Sequence, residues 1–334
     1  MAPHNPSIMV RAHSNSIPGP ECFELCDLPL PKAPEGGVLV RLHYVSVDPA
    51  MRGWLSHEAN YLTVPVGQVM RAHGVGEVVA SNQPGYSAGD MICGFFGWSA
   101  YYAAQADDIW WKIDPAIAPA PVWLNLFGLN GLTAWIGLNH FGRPAVGETI
   151  LVTTAAGAVG SAVGQLARAA GLRAVGIAGG AKKARLAEQH FGYDKVIDYR
   201  GTEDLDRAIA EACPNGIDLF YDNVGGGQAD ATFRHLRQNA RIVQCGTVSV
   251  PSWTPWPQGP RRERDILVRR LSWSGFVVMD HVALYPSALE SLTSLYRAGK
   301  LTSREDIWHG LERAPSAIAA LYEGLNEGKL CIAV

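Results

Sequence analysis

Charge, cysteine and long apolar runs are all scarce in this 334-residue chain, and each shortage excludes something. Charged residues make up 18% and the formal net charge is -3, so no basic surface awaits nucleic acid or an anionic membrane. The short cluster Arg261-Arg262-Glu263-Arg264 carries its own acid and reads as a solvated loop end. Six cysteines (Cys22, Cys26, Cys93, Cys213, Cys245 and Cys331) lie scattered, without the spacing of a disulfide framework or a metal site. The N-terminus lacks the basic and apolar segments of a signal peptide, and no stretch has the apolar length needed to span a bilayer. A cytoplasmic protein with reduced thiols is the expectation. There is no internal repeat and no low-complexity segment. With 48% apolar residues the composition is that of a globular enzyme, and the length exceeds one typical core, so two domains are expected.

What is present begins with residues 148–171. Residues 149–154 form a β-branched and apolar run, and Val159, Val163, Leu166 and Ala170 follow at helical spacing. A strand, a tight turn and a helix follow from that pattern. Ala155, Gly157 and Gly160 occupy the offsets of a G-x-G-x-x-G fingerprint, with alanine in the first place. Without side chains, Gly157 and Gly160 let the backbone approach a pyrophosphate, and the helix N-terminus offers N–H groups to the anion. Small residues also mark ordinary strand-to-helix turns, so the context matters. Short apolar runs recur at 173–178, 195–198, 217–223, 240–245 and 271–278, with helical segments near 182–191, 203–213 and 228–238. This alternation predicts an α/β fold with a doubly wound parallel sheet of the Rossmann type, binding its ligand across the carboxyl ends of the strands.

The end of the second strand indicates which dinucleotide. An NAD enzyme would place Asp or Glu there, on the ribose hydroxyls. This chain reads Ile177-Ala178-Gly179-Gly180-Ala181-Lys182-Lys183, with no carboxylate and two lysines. A charge-assisted contact to an adenosine phosphate shifts affinity about tenfold to a hundredfold, which favours NADP(H). Solvating the first turn of the next helix is the other role open to these lysines.

Residues 8–122 have a different texture. Short runs at 38–42, 76–80 and 91–93 are broken by Pro-Glu-Gly-Gly (34–37), Asn82-Gln83-Pro84-Gly85 and Ala88-Gly89-Asp90, which predicts a compact β-rich domain. The helical, alanine-rich part starts near Leu124. Residues 284–298 and 314–325 again have helical spacing, and 329–334 form a strand-like end.

A β-rich module, a dinucleotide fold and a short C-terminal return resemble the medium-chain dehydrogenase/reductase superfamily over nearly the whole chain. The local matches are Val47-Asp48-Pro49-Ala50-Met51-Arg52-Gly53, Arg71-Ala72-His73-Gly74 within 69–79, Gly131-Leu132-Thr133-Ala134, the 155–160 turn, Asp222-Asn223-Val224-Gly225-Gly226, Gly275-Phe276-Val277-Val278 and Asn326-Glu327-Gly328-Lys329. Together they look like the zinc-independent branch of prostaglandin reductases, curcumin reductases and plant alkenal double-bond reductases. The resemblance implies a Rossmann domain over 124–298 and a β-rich GroES-like domain over 1–123 and 299–334. It also implies a cytoplasmic homodimer paired through the edge of the nucleotide-domain sheet, a role that 271–278 would suit, although an internal strand there is equally compatible.

Zinc alcohol dehydrogenases of the superfamily place Gly-His-Glu where this chain has Arg71-Ala72-His73, so Ala72 replaces the ligand histidine. No cysteine lies near Asp48 and no four-cysteine lobe is present, so no metal is expected, and His73 reads as a packed or hydrogen-bonded histidine. A zinc ion would polarise a carbonyl during its reduction. Conjugate reduction asks less, because charge gathers on the oxygen as an enolate that hydrogen bonds stabilise. The expected activity is therefore NADPH-dependent reduction of the activated C=C bond of α,β-unsaturated ketones or aldehydes. A zinc-free quinone reductase and a catalytically silent NADPH-binding protein stand as alternatives.

Carried over by position, the resemblance assigns Gly157, Ala158, Val159 and Gly160 to the pyrophosphate, and Lys183 and Tyr199 to the adenosine phosphate. Asn223, then Cys245, Gly246, Thr247, Val248 and Ser249, Phe276, Val277 and Val278, and Asn326 line the nicotinamide half. Each also has a structural alternative: Asn223 could end a strand, Phe276 to Val278 could be core, and Asn326 could cap the last helix. The substrate pocket is assigned to Ala50, Tyr61, Val250, Trp253, Trp256 and Met279. Two tyrosines found in relatives are missing, one from the 247–256 loop and one at Ala50. A positioned acid is worth about 10²–10⁴ in rate. The proton must come from water, Tyr61 or Tyr44, or the substrate must differ from the usual enones. Tyr61 is the candidate acid, and Trp253 with Trp256 the candidate aromatic wall for a flat or aryl-bearing substrate.

Overall fold

Short strands separated by turns make up the first third of the chain in the computed structural model, which describes residues 4–58, 60–249, 255 and 257–334. Strand β1 (His4–Val10) pairs antiparallel with β2 (Phe23–Pro29). Then come β3 (Gly37–Ser46), β4 (Arg71–Ser81), β5 (Met91–Gly97), β6 (Tyr101–Gln105) and β7 (Ile109–Lys112). Gly36, Gly85 and Gly89 sit at φ 65°, 89° and 93° in the connecting turns, a conformation that a side chain would oppose. Two short helices, α1 (Met51–Trp54) and α2 (Ala120–Leu124), complete this part.

The middle of the chain starts with α3 (Leu129–Ile136), which runs on into a π-helical turn, Gly137–Gly142. Strands and helices then alternate: β8 (Thr149–Thr153), α4 (Ala158–Ala169), β9 (Arg173–Ala178), α5 (Ala181–His190), β10 (Lys195–Asp198), α6 (Leu205–Ala212), β11 (Ile217–Asp222), α7 (Gly226–Phe233), β12 (Leu236–Gln244), α8 (Glu263–Arg269) and β13 (Ser272–Gly275). Helix α9 (Tyr285–Arg297) follows a 3₁₀ segment, Val278–Leu284. The six strands are parallel, in the order β10-β9-β8-β11-β12-β13. That is the doubly wound order, with its switch point between β8 and β11. Ile150, Leu151 and Val152 of β8 are fully buried, as a central parallel strand covered on both faces requires.

The chain returns through β14 (Glu305–His309), α10 (Ala314–Glu323) and β15 (Lys329–Ala333). Strand β15 runs antiparallel to β3, pairing Ile332 with Val45, and is parallel to β14. The resulting seven-stranded sheet is ordered β14-β15-β3-β4-β5-β7, with β6 also on β3. Two compact units result, Met1–Gly128 with Glu305–Val334, and Leu129–Arg304. Trp54, Phe96 and Trp98 anchor the core of the first, and Leu151, Val175, Phe220 and Phe233 that of the second.

Two expectations need correction. The helical reading of 228–238 runs too far: α7 stops at Phe233 and β12 starts at Leu236. The polar run Arg237-Gln238-Asn239 is exposed and hides the strand, and Asn239 takes φ 65° where the register with β11 shifts. The run 271–278 yields only four strand residues, because Val278 already begins the 3₁₀ segment. Strand β13 ends the sheet order, so it is an edge strand.

Candidate active site

Strand β8 delivers the chain into a turn at Thr154, which adopts φ 55°. Gly157 precedes α4 with no side chain capping the helix, while Ala158, Val159 and Gly160 form its first turn. Helix geometry leaves the N–H groups of such a turn without intrahelical partners, an arrangement that suits an anion. A Cβ at Gly160 would collide with the carbonyl oxygen of Thr154, and one at Gly157 would lie 3.1 Å from that oxygen. Alanine is tolerated at position 155 because Gly176 of β9 makes room: a Cβ there would stand 2.5 Å from that of Ala155. Tyr193, which is buried, ties its hydroxyl to the Gly160 carbonyl at 2.6 Å and holds the helix start against the sheet.

At the switch point the ends of β8, β11 and β12 are laced together. Asp222, fully buried, accepts from Thr153 Oγ1 (3.0 Å), the backbone N–H of Val224 (2.9 Å) and Gly225 (3.0 Å), and Gln244 Nε2 (3.0 Å). Asn223 donates through Nδ2 to the Thr153 carbonyl (2.8 Å) and through its backbone N–H to Thr153 Oγ1 (2.7 Å). Asn223 thus does end β11, and its side-chain nitrogen fastens that end to β8. The loop after β12 is drawn onto the same corner: the Cys245 N–H donates to the Asp222 carbonyl (2.8 Å), the Val248 N–H to the Asn223 carbonyl (3.4 Å) and the Ser249 hydroxyl to the Val224 carbonyl (2.7 Å). Gly246 needs its missing side chain, since a Cβ would come within 2.8 Å of the Asn223 carbonyl oxygen; Thr247 follows it. Burial pushes the Cys245 thiol up to about 12, so it is no nucleophile at neutral pH.

Beyond β9, Gly180 has φ 98° and leads into α5, whose first turn is Ala181-Lys182-Lys183 with no acid in it. Two cations at a helix N-terminus oppose the helix dipole, at about 0.3–1 kcal/mol each, and an anion at that spot relieves the conflict. Tyr199 and Arg200 lie over Gly179: a Cβ on Gly179 would meet the Tyr199 ring at 3.0 Å and Arg200 Nε at 3.3 Å. The Asp198 carboxylate is committed to the backbone N–H groups of Gly180 (2.7 Å) and Arg200 (3.0 Å). A dinucleotide with a phosphorylated adenosine ribose fits these residues. Arg200 adjoins Tyr199 but stands in no motif of its own in the sequence; only the packing over Gly179 singles it out.

Phe276 stacks on Phe141 (5.0 Å between centroids, 26° between planes), with His281 at 6.4 Å, so its ring belongs to a half-buried aromatic cluster. Val277 precedes the 3₁₀ segment that contains Val278 and Met279. Ala50, Tyr61 and Asn326 belong to the first unit and Met279 to the second. Val250, Trp253 and Trp256 lie outside the described residues.

In the first unit, Ala50 is the N-cap residue of α1. The Tyr61 hydroxyl accepts from Trp54 Nε1 at 3.3 Å. Asn326 does not cap α10; Gly324 does, at φ 75°, while Asn326 Nδ2 donates to the Gly328 carbonyl at 2.6 Å. Next to it, the buried Lys329 ammonium pairs with Asp48 and donates to the Val47 carbonyl at 2.9 Å. Burial opposes the Asp48 charge, but Lys329 and His73 beside it, with hydrogen bonds, bring the carboxyl below its ordinary value. His73 is wedged between Phe95 (4.8 Å) and Trp110 (4.7 Å), with neither ring nitrogen hydrogen-bonded, and burial pushes it down to about 3. It is packed, not hydrogen-bonded. Among the described residues no group of three or more His, Cys, Asp or Glu is placed to hold a metal ion. No helix among them is long and apolar enough to cross a membrane.

Comparison with known proteins places this geometry. A family model described as N-terminal domain of oxidoreductase matches residues 7–112, and one described as zinc-binding dehydrogenase matches 158–294. NADPH-dependent curcumin reductase of Escherichia coli (strain K12) is 38% identical, covering 98% of this chain and 96% of its own. The NADP(+)-dependent 2-alkenal reductase of Nicotiana tabacum is 32% identical, covering 99% and 97%. The crystal structure of CurA from Vibrio vulnificus in complex with NADPH superposes with a TM-score of 0.91 at 34% identity, over 98% of this chain and 99% of that one. The chain belongs to the medium-chain dehydrogenase/reductase superfamily, in the branch that holds the curcumin, alkenal, pulegone and prostaglandin reductases.

Proposed function

We propose that this protein is an NADP-dependent oxidoreductase that reduces the activated C=C bond of α,β-unsaturated ketones or aldehydes without a metal. The observation that carries the cofactor half is the side-chain-free cradle at Gly157 and Gly160, with Tyr199 and Arg200 lying over Gly179 and Lys183 in the first turn of α5 after Gly180. Bound NADPH supplies a hydride, which goes to the β-carbon of the substrate. The first turn of α4 holds the pyrophosphate, and Lys183, Tyr199 and Arg200 hold the adenosine phosphate. Asn223, the 245–249 loop, Phe276 to Val278 and Asn326 keep the nicotinamide half in place.

Ala72 and the enclosed His73 favour an alkene acceptor over a simple carbonyl, because the donor set for a carbonyl-polarising metal is not assembled from these residue types. Tyr61 is the proposed source of the proton for the α-carbon. Ala50, Met279, Val250, Trp253 and Trp256 shape the substrate pocket, the tryptophans favouring flat or aryl-bearing substrates.

The same reading includes a homodimer, supported by the edge position of β13, by Trp273 exposed on it and by Leu267 and Val268 exposed on the preceding helix α8. Sedimentation at micromolar concentration checks this, and a monomer mass would refute it. All six cysteines are free, in keeping with a cytoplasmic location. NADPH consumption with a simple enone, with a 1,4-quinone and with no acceptor tests the activity. Turnover of the enone with NADPH well above NADH is expected, and binding of NADPH without turnover of any acceptor overturns the catalytic reading.

A further inference from the structure

Trp54 is 1% exposed in α1, its ring set edge-on to Phe95 at 5.8 Å and 85°. Phe95 is itself clamped: the Arg71 guanidinium lies 4.4 Å over its ring, and donates to the Phe95 carbonyl at 2.8 Å and to Asp108 at 2.9 Å. From this stiff base the indole Nε1–H reaches the Tyr61 hydroxyl, which is otherwise on a half-exposed residue. An indole nitrogen can only donate, so the Tyr61 oxygen is the acceptor of this bond.

We propose that Trp54 is a positioning residue for proton delivery: its N–H fixes the Tyr61 oxygen and steadies the phenolate left when Tyr61 protonates the substrate. This rests on the reading of Tyr61 as the proton donor. In the step, the Tyr61 O–H bond breaks and its electron pair stays on the phenol oxygen. The enolate's electron pair forms the new C–H bond at the α-carbon, and solvent water then restores the phenol. A hydrogen bond to an ionised oxygen is shorter and roughly twice as strong as one to a neutral oxygen. At 3.3 Å the bond is long for the neutral pair, as resting-state catalytic hydrogen bonds often are, and it has room to tighten as charge develops. An interaction that is stronger in the transition state than in the ground state raises kcat more than it changes KM.

The test is a double-mutant cycle on the full chain, followed by NADPH oxidation with an enone. Tyr61→Phe should lower kcat by about a hundredfold. Trp54→Phe should lower it about fivefold to tenfold with KM little changed, and should move the alkaline limb of the pH–rate profile upward, because the phenolate loses its donor. In the Tyr61→Phe background, Trp54→Phe should change little. Equal losses in both backgrounds overturn the proposal. An undamaged Tyr61→Phe enzyme instead overturns the reading of Tyr61 on which it stands. Should Trp54→Phe fail to fold, β-(3-benzothienyl)alanine at position 54 keeps the ring system and removes only the N–H. The same pattern is expected from it, and wild-type kcat with that analogue refutes the proposal.

Discussion

The carbonyl oxygen of Thr154 stands where a side chain at Gly160 would begin. Thr154 is held in the left-handed region, at φ 55°, so its carbonyl is turned into the mouth of α4 and cannot easily retreat. Gly160→Ala should therefore cost about 1–3 kcal/mol of stability by overpacking and weaken NADPH binding at least tenfold. Gly157→Ala, at 3.1 Å from the same oxygen, should lose less of both. Thermal unfolding and calorimetric titration with NADPH compare the two, and equal damage from both would show that the cradle is not what distinguishes them.

Choice of cofactor should depend on charge at the end of β9. Lys183→Ala and Arg200→Ala are each expected to raise KM for NADPH about tenfold to a hundredfold and leave KM for NADH nearly unchanged. The NADPH/NADH ratio of kcat/KM is the measurement. A ratio unmoved by Arg200→Ala would return that residue to the solvent.

Removing Lys329 should be among the most damaging changes in the first unit. Its ammonium and the Asp48 carboxylate are 3% and 5% exposed, so Lys329→Met leaves an uncompensated buried charge and should cost about 3–5 kcal/mol. Replacing both, as Lys329→Met with Asp48→Leu, should recover much of that loss. Urea midpoints at pH 7 decide it.

His73 gives the stability a pH dependence of known sign. The unfolded chain protonates this histidine near its ordinary value of 6.5, whereas burial delays protonation in the folded chain until about 3. Between those values the unfolded state holds the extra proton, so stability falls as acid is added, by up to about 1.4 kcal/mol per pH unit. Asp48 adds a loss of the same sign, but only below its ordinary value of 3.8. His73→Phe should flatten the slope between pH 6.5 and about 4, read from urea unfolding at several pH values; an unchanged slope there assigns the effect to other groups.

Much of this molecule was legible from local pattern. The strand, turn and helix around Gly157 and Gly160 stand where the residues predict them, because the need for a bare backbone is written as glycine. Helices α9 and α10 match their apolar spacing to within two residues. Strands β1 and β2 leave no clear signal in the sequence, since they form a separate two-stranded sheet of mixed burial with no clean alternation. The opening of β12 resembles helix in the sequence, because its polar residues are exposed and carry no apolar period of a strand.

The amino-acid order alone determined the class of fold, the dinucleotide turn and the absence of an acid at the end of β9, since each is a matter of which residue types stand at fixed short spacings. Only the tertiary structure decided that Gly176 compensates for Ala155, that Asp198 is committed to backbone, that Arg200 leans over Gly179 and that Trp54 holds Tyr61. These depend on which side chains the folded backbone brings within a few ångströms, across the sheet for Gly176 and Ala155 and over only seven residues for Trp54 and Tyr61, and such contacts leave no periodic mark on a single chain.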